Sequence, residues 1–255
     1  MSKAFDLGGR VAIVTGGNGG IGLGMAEGLA RAGAALLIAG RNAVKNAAAV
    51  KALQALGAKA AAVEADVTQP GACQGLIAAA LVGFGRVDIL VNNAGINIRK
   101  QPQDYSPEEW KSVLETNLSS AFFCSQAAYP ALLKSGGGKI INIGSMLSIF
   151  GAAFAGPYGA SKGGIVQLTK SLASAWAKDN IQVNAVLPGW IDTDLTRQTR
   201  KEVPGLHERV LARTPAGRWG DAADFAGIAV FLASSAADFV TGTAITVDGG
   251  YSSQG

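Results

Sequence analysis

The chain has 255 residues, of which 49% are hydrophobic and 16% are charged, and its formal net charge is +4. This composition excludes a disordered or fibrous chain and allows one large domain or two small ones. The mild positive excess suits anionic small molecules, whereas a nucleic-acid-binding protein is not expected because basic residues occur only as short doublets.

Membrane, secreted and metal-binding proteins are also disfavoured. No apolar run approaches the ~18 residues that a membrane span needs, and the N-terminal stretch lacks the apolar region of a secretory signal. Cys73 and Cys124 lack metal-ligand spacing and are expected to be reduced and buried. We therefore expect a cytoplasmic protein with no membrane partner and no metal site.

Predicted strands and helices alternate along the chain. Short apolar runs predict buried strands at residues 10–16, 35–40, 59–67, 87–95, 138–145, 181–189 and 243–250. Helical patterns lie between them, at residues 21–33, 43–57, 70–83, 106–134, 157–179 and 221–234. The fourth helix has Ser106 as N-cap, Pro107 in its first turn and Glu109 for a capping box, and it is expected to bend. Residues 192–213 are expected to be irregular and charged.

Apolar, non-alternating strands that alternate along the chain with helices indicate a parallel sheet with helices on both faces. No linker or internal repeat interrupts the pattern. The predicted fold class is therefore α/β: a single-domain, doubly wound Rossmann fold over residues 1–255, with a parallel seven-stranded sheet and a substrate-side segment at about 190–215. Ligands bind such sheets beyond the carboxyl ends of the strands.

The segment TGGNGGIG, Thr15–Gly22, follows the first strand and opens the first helix. Glycines let the backbone approach a pyrophosphate, whose negative charge the helix N-terminus favours. Both the GxGxxG and the TGxxxGxG spacings fit, and a glycine-rich turn without a ligand is the alternative. The residues expected to bind a nucleotide cofactor here are Gly16, Asn18, Gly20, Ile21 and Gly22.

The end of the second strand bears on the identity of the nucleotide. An NAD site would have an acidic residue there for the ribose hydroxyls, but this chain has Arg41 and Asn42. A cation suits a 2′-phosphate, so NADP is favoured and NAD stays open; Arg41 as a solvated surface residue is the alternative. After the third strand come Asp66 and Val67, and Asp66 either accepts a hydrogen bond from the adenine or caps the next turn.

Further distinctive residues follow the later strands. NNAG (Asn92–Gly95) follows the fourth strand, Ser145 the fifth, and PGWIDT (Pro188–Thr193) the sixth. In the helix between the last two, Tyr158 and Lys162 are four residues apart and share a face. A phenol is a poor acid or base at neutral pH, and a neighbouring positive charge lowers its pKa.

Taken together, these motifs resemble the short-chain dehydrogenase/reductase family over essentially the whole chain. The resemblance implies an NAD(P)-dependent oxidoreductase that interconverts a secondary alcohol and a ketone by hydride transfer. It implies Tyr158 as general acid/base, Lys162 lowering the Tyr158 pKa and binding the nicotinamide ribose, Ser145 holding the substrate oxygen, and Asn117 anchoring a water that relays protons. The remaining cofactor contacts that it implies are Asn93, Gly95, Tyr158, Lys162, Pro188, Gly189, Ile191 and Thr193.

Substrate signals are fewer. SMLS at Ser145, PAGRWG at 215–220 and Arg99 look like the sugar-acid branch of the family, which contains gluconate 5-dehydrogenases and 2-deoxygluconate dehydrogenases. Arg99 can pair with a carboxylate, although it lies one position further from NNAG than that branch's pattern, and a surface or subunit-contact arginine is the alternative. Phe150 and Phe154 favour a less polar ketone or alcohol instead. The tentative substrate residues are Arg99, Ser145, Met146 and Tyr158.

Three other functions are alternatives to a sugar-acid dehydrogenase. A 3-oxoacyl-carrier-protein reductase shares ETNLSS and TDLTR with this chain. A non-catalytic sensor of nicotinamide has no need of the full set of catalytic residues. A Ser–His–Asp hydrolase would depend on His207, the only histidine, in the charged segment. Family resemblance also implies a homotetramer, with the apolar segment 225–250 contributing to an interface.

Overall fold

The computed structural model describes residues 3–254, apart from the side chains at positions 70 and 195. It contains a seven-stranded sheet in the order β3-β2-β1-β4-β5-β6-β7, and every pair of neighbours is parallel. The strands are β1 Val11–Thr15, β2 Ala35–Gly40, β3 Ala60–Glu64, β4 Ile89–Asn92, β5 Gly138–Ile143, β6 Ile181–Pro188 and β7 Ala244–Val247. The predicted fold class is confirmed.

Helices cover both faces of the sheet. They are α1 Gly20–Arg31, α2 Ala43–Ala55, α3 Pro70–Phe84, α4 Pro107–Leu114, α5 Ser120–Lys134, α6 Gly156–Trp176, α7 Asp194–Glu202, α8 Leu206–Arg213 and α9 Ala226–Ala233. One apolar core lies between the sheet and α1 and α9, and includes Leu29 and Phe225. The core on the opposite face includes Leu76 of α3 and Leu132 of α5. Two buried faces explain why the central strands are mostly apolar and do not alternate with exposed polar residues.

The strand order reverses direction between β1 and β4. The chain continues from β1 toward one edge of the sheet and from β4 toward the other edge. A crevice therefore opens beyond the carboxyl ends of these two neighbouring strands. The loop after β1 and the loop after β4 face each other across it, and the Asn93 side-chain amide donates to the carbonyls of Thr15 and Gly16 at 3.1 and 2.9 Å. The topology thus creates the place where a ligand binds.

The helix predicted over 106–134 begins as expected and is interrupted once. Ser106 and Glu109 form the predicted capping box, and Pro107 stands in the first turn. A π-helical turn, Glu115–Ser119, separates α4 from α5, and such turns are places where helices bend. Such single π turns occur frequently at functional sites. This one carries Asn117, which is 2% exposed.

The expectation that residues 192–213 are irregular is wrong, because they form α7 and α8. Thr193 caps α7 by accepting a hydrogen bond from the Thr196 N–H at 3.4 Å. Gly205, with φ of 70°, supplies the left-handed turn before α8. Leu206 and Val210 are one turn apart and pack with Trp219 in a small apolar cluster. The many charges masked this short apolar stripe in the sequence.

The cysteines agree with their prediction. Cys73 and Cys124 are free and buried, with their sulfur atoms 3.1 Å apart between α3 and α5. None of the helices within residues 3–254 combines the length and apolarity that crossing a bilayer requires. No cluster of three or more His, Cys, Asp or Glu in that part of the chain is arranged to hold a metal ion.

Candidate active site

Two cavities meet at the carboxyl edge of the sheet. The first, of about 400 Å³, runs along the loops after β1, β2, β3 and β4 and is called here the cofactor cleft. The second, of about 730 Å³, lies beneath α7 and α8 and is called the substrate cavity. Ser145, Tyr158, Pro188, Gly189 and Thr196 line both. A ligand in one cavity would therefore touch a ligand in the other beside Ser145 and Tyr158.

The glycine-rich loop leaves no room for side chains where it approaches the neighbouring loop. A Cβ at Gly16, whose φ is +61°, would lie 2.9 Å from the Asn93 amide nitrogen. A Cβ at Gly22 would lie 2.4 Å from the same atom and 2.6 Å from the Gly16 carbonyl oxygen. No side chain caps the N-terminus of α1 at Gly19, and Gly19, Gly20 and Ile21 line the cleft. These features fit the diphosphate of a dinucleotide.

The far end of the cofactor cleft is lined by two cations. Arg41 follows β2, and Lys45 lies four residues later, in the first turn of α2. The Lys45 ammonium is 2.9 Å from a carboxylate oxygen of Asp194. Asp66 accepts hydrogen bonds from the N–H and hydroxyl of Thr68 at 3.1 and 2.8 Å. Those bonds lower the Asp66 pKa, burial opposes them, and the charge of Arg41 lowers it further. Asp66 thus caps its turn, while the cations fit a 2′-phosphate.

Most of the residues predicted to bind the cofactor line the cleft. They are Gly16, Asn18, Gly20, Ile21, Arg41, Asp66, Val67, Asn93, Gly95, Tyr158, Lys162, Pro188, Gly189, Ile191 and Thr193. Two do not line it. Gly22 packs against Asn93 and the Gly16 carbonyl, and Asn42 caps α2 by accepting from the Lys45 N–H at 2.9 Å. Both therefore shape the cleft without facing it.

Ser145 and Tyr158 stand together where the cavities meet. Ser145 follows β5 in extended conformation, and its hydroxyl accepts from the Leu147 N–H at 3.1 Å. Burial raises the pKa of the Tyr158 phenol, while a hydrogen bond with Ser145 and the positive charge of Arg99 lower it. Burial is the largest of these influences, so the pKa of Tyr158 lies above that of a free phenol. The Tyr158 hydroxyl is placed to donate a proton to a substrate oxygen or to accept one from it.

Lys162 is buried beneath the tyrosine, 4% exposed. Its ammonium donates to the Ile143 carbonyl at 2.7 Å and lies 5.6 Å from the centroid of the Tyr158 ring. Burial lowers the pKa of Lys162 to about 8. The lowering of the Tyr158 pKa by Lys162 stays a prediction; burial is the largest influence on that pKa, and Arg99 supplies a positive charge that lowers it.

Asn117 lies behind the loop that follows β4. Its carbonyl oxygen accepts from the Ile96 N–H at 2.8 Å, and its amide donates to the Ile96 carbonyl at 2.9 Å and to the Ser161 hydroxyl at 3.1 Å. The Asn117 oxygen and the Lys162 ammonium both face Gly95, at 3.4 and 3.7 Å from where its Cβ would be. Asn117 therefore holds the loop in place beside Lys162.

The substrate cavity contains unsatisfied polar groups. Among the described side chains, the Nε of Arg99 and the Oδ1 of Asn97 are buried without a hydrogen-bond partner. A buried donor and a buried acceptor left unpaired are costly, and a ligand with oxygen acceptors and hydroxyl donors would satisfy both. Met146, Phe150 and Phe154 supply the apolar wall.

Several lining residues were missed by sequence reasoning. Lys45 could have been found, because it is four residues beyond Arg41 in the predicted helix. Asn97, Arg213 and Tyr251 come from separate loops and from α8, and no local spacing links them. His207 is exposed and stacks on Trp219 at 6.2 Å, outside the lining of both cavities.

Comparisons with known proteins agree with this geometry. The family model described as "Enoyl-(Acyl carrier protein) reductase" matches residues 16–252. The 2-dehydro-3-deoxy-D-gluconate 5-dehydrogenase of Escherichia coli is 45% identical, over 98% of either chain. The gluconate 5-dehydrogenase of Gluconobacter oxydans is 39% identical, over 96% of either chain. A crystal structure of a gluconate 5-dehydrogenase from Burkholderia cenocepacia, in complex with NADP and tartrate, is 39% identical and superposes with a TM-score of 0.94 over 99% of both chains.

Proposed function

Since the chain belongs to the short-chain dehydrogenase/reductase family, we propose that it is an NADP-dependent dehydrogenase that oxidises a secondary hydroxyl of a sugar acid to a ketone. The observation that carries this proposal is the meeting of the two cavities at Ser145 and Tyr158. A cofactor in one and an alcohol in the other would have their reacting atoms side by side. Hydride transfer between a nicotinamide and an alcohol, the chemistry of this family, needs the two reacting atoms to be adjacent.

The chain's own residues would handle the proton. The Ser145 hydroxyl would hold the substrate oxygen, and Tyr158 would take the hydroxyl proton during oxidation and return it during reduction. Asn117 and Lys162, beside Gly95, would support a water that carries the proton onward. The bound nicotinamide supplies the hydride acceptor, and the protein supplies orientation and proton traffic.

The cofactor proposed is NADP rather than NAD, on the basis of Arg41. Arg41→Ala is expected to weaken NADP binding roughly 10–100-fold, because a charge-assisted contact to the 2′-phosphate is lost, and to change NAD binding little. Fluorescence titration of both cofactors measures the effect. Arg31→Ala, in α1, removes an arginine that pairs with Glu27 instead and serves as the control. An unchanged NADP-to-NAD ratio in Arg41→Ala would show that Arg41 does not contact the phosphate.

A sugar acid is supported by the polarity of the substrate cavity and by the relatives. Arg99 and Asn97 offer an unpaired donor and acceptor beside Tyr158, which suit the oxygens of a polyhydroxylated acid. Met146 and Ser145 complete the proposed contact set. The curated relatives that cover nearly the whole chain carry the names of sugar-acid dehydrogenases.

The direct test follows nicotinamide absorbance with the purified protein. NADP or NAD would be combined with D-gluconate, 2-deoxy-D-gluconate and simple secondary alcohols, and reduced cofactor with the corresponding ketones. We expect NADP-dependent turnover of a sugar acid and slower turnover of the apolar alcohols. Turnover confined to apolar alcohols or ketones would replace the sugar-acid proposal with a specificity set by Phe150 and Phe154.

One other substrate class is favoured by a specific observation. The matching family model carries the description "Enoyl-(Acyl carrier protein) reductase", which points to acyl thioesters as a class, and the cavity has an apolar wall. A 3-oxoacyl thioester would therefore be included among the carbonyl substrates. Its preferred reduction would overturn the sugar-acid assignment while leaving the catalytic roles intact.

The homotetramer and the cytoplasmic location are also proposed. Large apolar side chains are exposed at Trp110, Phe122 and Leu133, and Phe239 lies in the segment expected to form an interface. Sedimentation at micromolar concentration measures the assembly, and monomers alone would contradict the proposal. The free, buried Cys73 and Cys124 suit a reducing compartment.

A further inference from the structure

The substrate cavity is lined by five charged side chains, and their partners differ. The Lys100 ammonium is 2.5 Å from a carboxylate oxygen of Glu109. Arg209 donates to the Pro204 carbonyl at 3.1 Å. The others are Arg99, Glu202 and Arg213.

Arg213, the last residue of α8, is held by aromatic rings. Its guanidinium carbon lies 4.4 Å from the centroid of the Tyr251 ring and 5.1 Å from that of Phe150. Those two rings meet edge to face at 6.4 Å. No carboxylate within residues 3–254 forms an ion pair with Arg213. Stacking fixes the plane of the guanidinium and leaves its N–H groups for a ligand.

Arg99 stands in a different electrostatic setting. Burial lowers its pKa, and the charge of Glu202 is the strongest of the influences that raise it, followed by Tyr158 and Tyr105. Glu202 partly compensates the positive charge of Arg99 and would repel a substrate carboxylate placed there. The positive charge of Arg99 also lowers the pKa of the Tyr158 phenol, so Arg99 lies beside the reacting centre. Arg213 has no such influence on Tyr158.

We infer that Arg213 binds the carboxylate of the substrate, whereas Arg99 acts at the reacting carbon. This inference rests on the proposed sugar-acid function and refines it. The substrate spans the cavity, with its carbinol against Ser145 and Tyr158 and its carboxylate against the guanidinium framed by Phe150 and Tyr251. The cavity therefore selects acids that can place the reacting hydroxyl and the carboxylate at these two positions together.

The test compares D-gluconate with D-gluconamide, its neutral counterpart of the same carbon chain, in the presence of NADP. Wild-type enzyme is expected to prefer gluconate. In Arg213→Met the kcat/KM ratio of gluconate over gluconamide should fall roughly 10–100-fold, mainly through the KM of gluconate, because a charge-assisted contact is lost. Methionine keeps an apolar contact with the rings, and Arg213→Lys should restore part of the ratio.

Arg99→Met is the matched variant. It should lower kcat for both substrates, leave their ratio unchanged and move the acid–base transition of the kcat profile to higher pH, because a positive charge that lowers the Tyr158 pKa is removed. If Arg99→Met abolishes the preference for gluconate and Arg213→Met keeps it, the carboxylate binds at Arg99 and the inference is overturned. Absence of sugar-acid turnover by the wild type would instead refute the proposed function, and the carboxylate assignment with it.

Discussion

Tyr158→Phe is expected to lower kcat by roughly 10²–10⁴-fold, the contribution of a positioned acid–base group. The phenol stands where both cavities meet, and Ser145 is its hydrogen-bonding neighbour. Phenylalanine keeps the ring and its packing beside Lys162 and removes only the oxygen that exchanges the proton. Steady-state kinetics with NADP and the sugar acid identified by the substrate screen measure the loss.

Cofactor affinity separates a chemical effect from a structural one in this variant. The dissociation constant of NADP should stay within a few-fold of the wild type, because the contacts of the glycine-rich loop and of Arg41 remain. Tyr129→Phe is the control: its hydroxyl donates to Asp179 at 3.0 Å, and Tyr129 lines neither cavity. Near-normal turnover in Tyr158→Phe would eliminate the acid–base role.

Lys162→Met is expected to lower turnover and to raise the free energy of unfolding. Turnover should fall by about 10²–10³-fold, since a buried charge beside the reacting groups is lost. The Lys162 pKa of about 8 lies below the 10.5 of an exposed lysine. Between those values the unfolded chain binds more protons than the folded one, so this group makes the wild-type fold more stable as pH rises.

Neutral pH is therefore where the buried lysine is most costly. The free energy of unfolding of Lys162→Met minus that of the wild type should be greatest near pH 7. This difference should decline by about 3 kcal/mol by pH 10.5. Urea unfolding of both proteins across that range measures it. Lys170→Met, an exposed position on the same helix, should show no such trend. A pH-independent difference for Lys162→Met would mean that its pKa is not lowered by burial.

Local sequence patterns were sufficient for most of the architecture. Strands such as β1 and β6 are buried along their whole length and are mostly apolar without alternation, which identifies a parallel sheet. The capping residues Ser106 and Glu109 marked a helix start because caps act within one turn. Where the apolar stripe was short, as at Leu206 and Val210 in α8, charge hid the helix and the expectation of an irregular segment was wrong.

The positions of Ser145, Tyr158 and Lys162 were also accessible to sequence reasoning, because each follows a strand or shares one helix face, while their proposed catalytic roles came from the family resemblance. Tyr158 and Lys162 are fixed relative to each other by helix geometry, and Ser145 by the end of β5. Their electrostatics were not accessible. The pKa of a phenol depends on burial and on charges from other elements, and the charge of Arg99, from the loop after β4, lowers the Tyr158 pKa.

What the sequence by itself determined is the α/β fold, which follows from local periodicity, and the candidate residues at the strand ends, whose motifs resemble one family. Only the tertiary structure decided which side chains share a cavity. Arg213, Phe150 and Tyr251 come from α8, the loop after β5 and the turn after β7, yet they meet in one cluster. Contacts between residues far apart in the chain depend on how the elements pack, and no single segment encodes that packing.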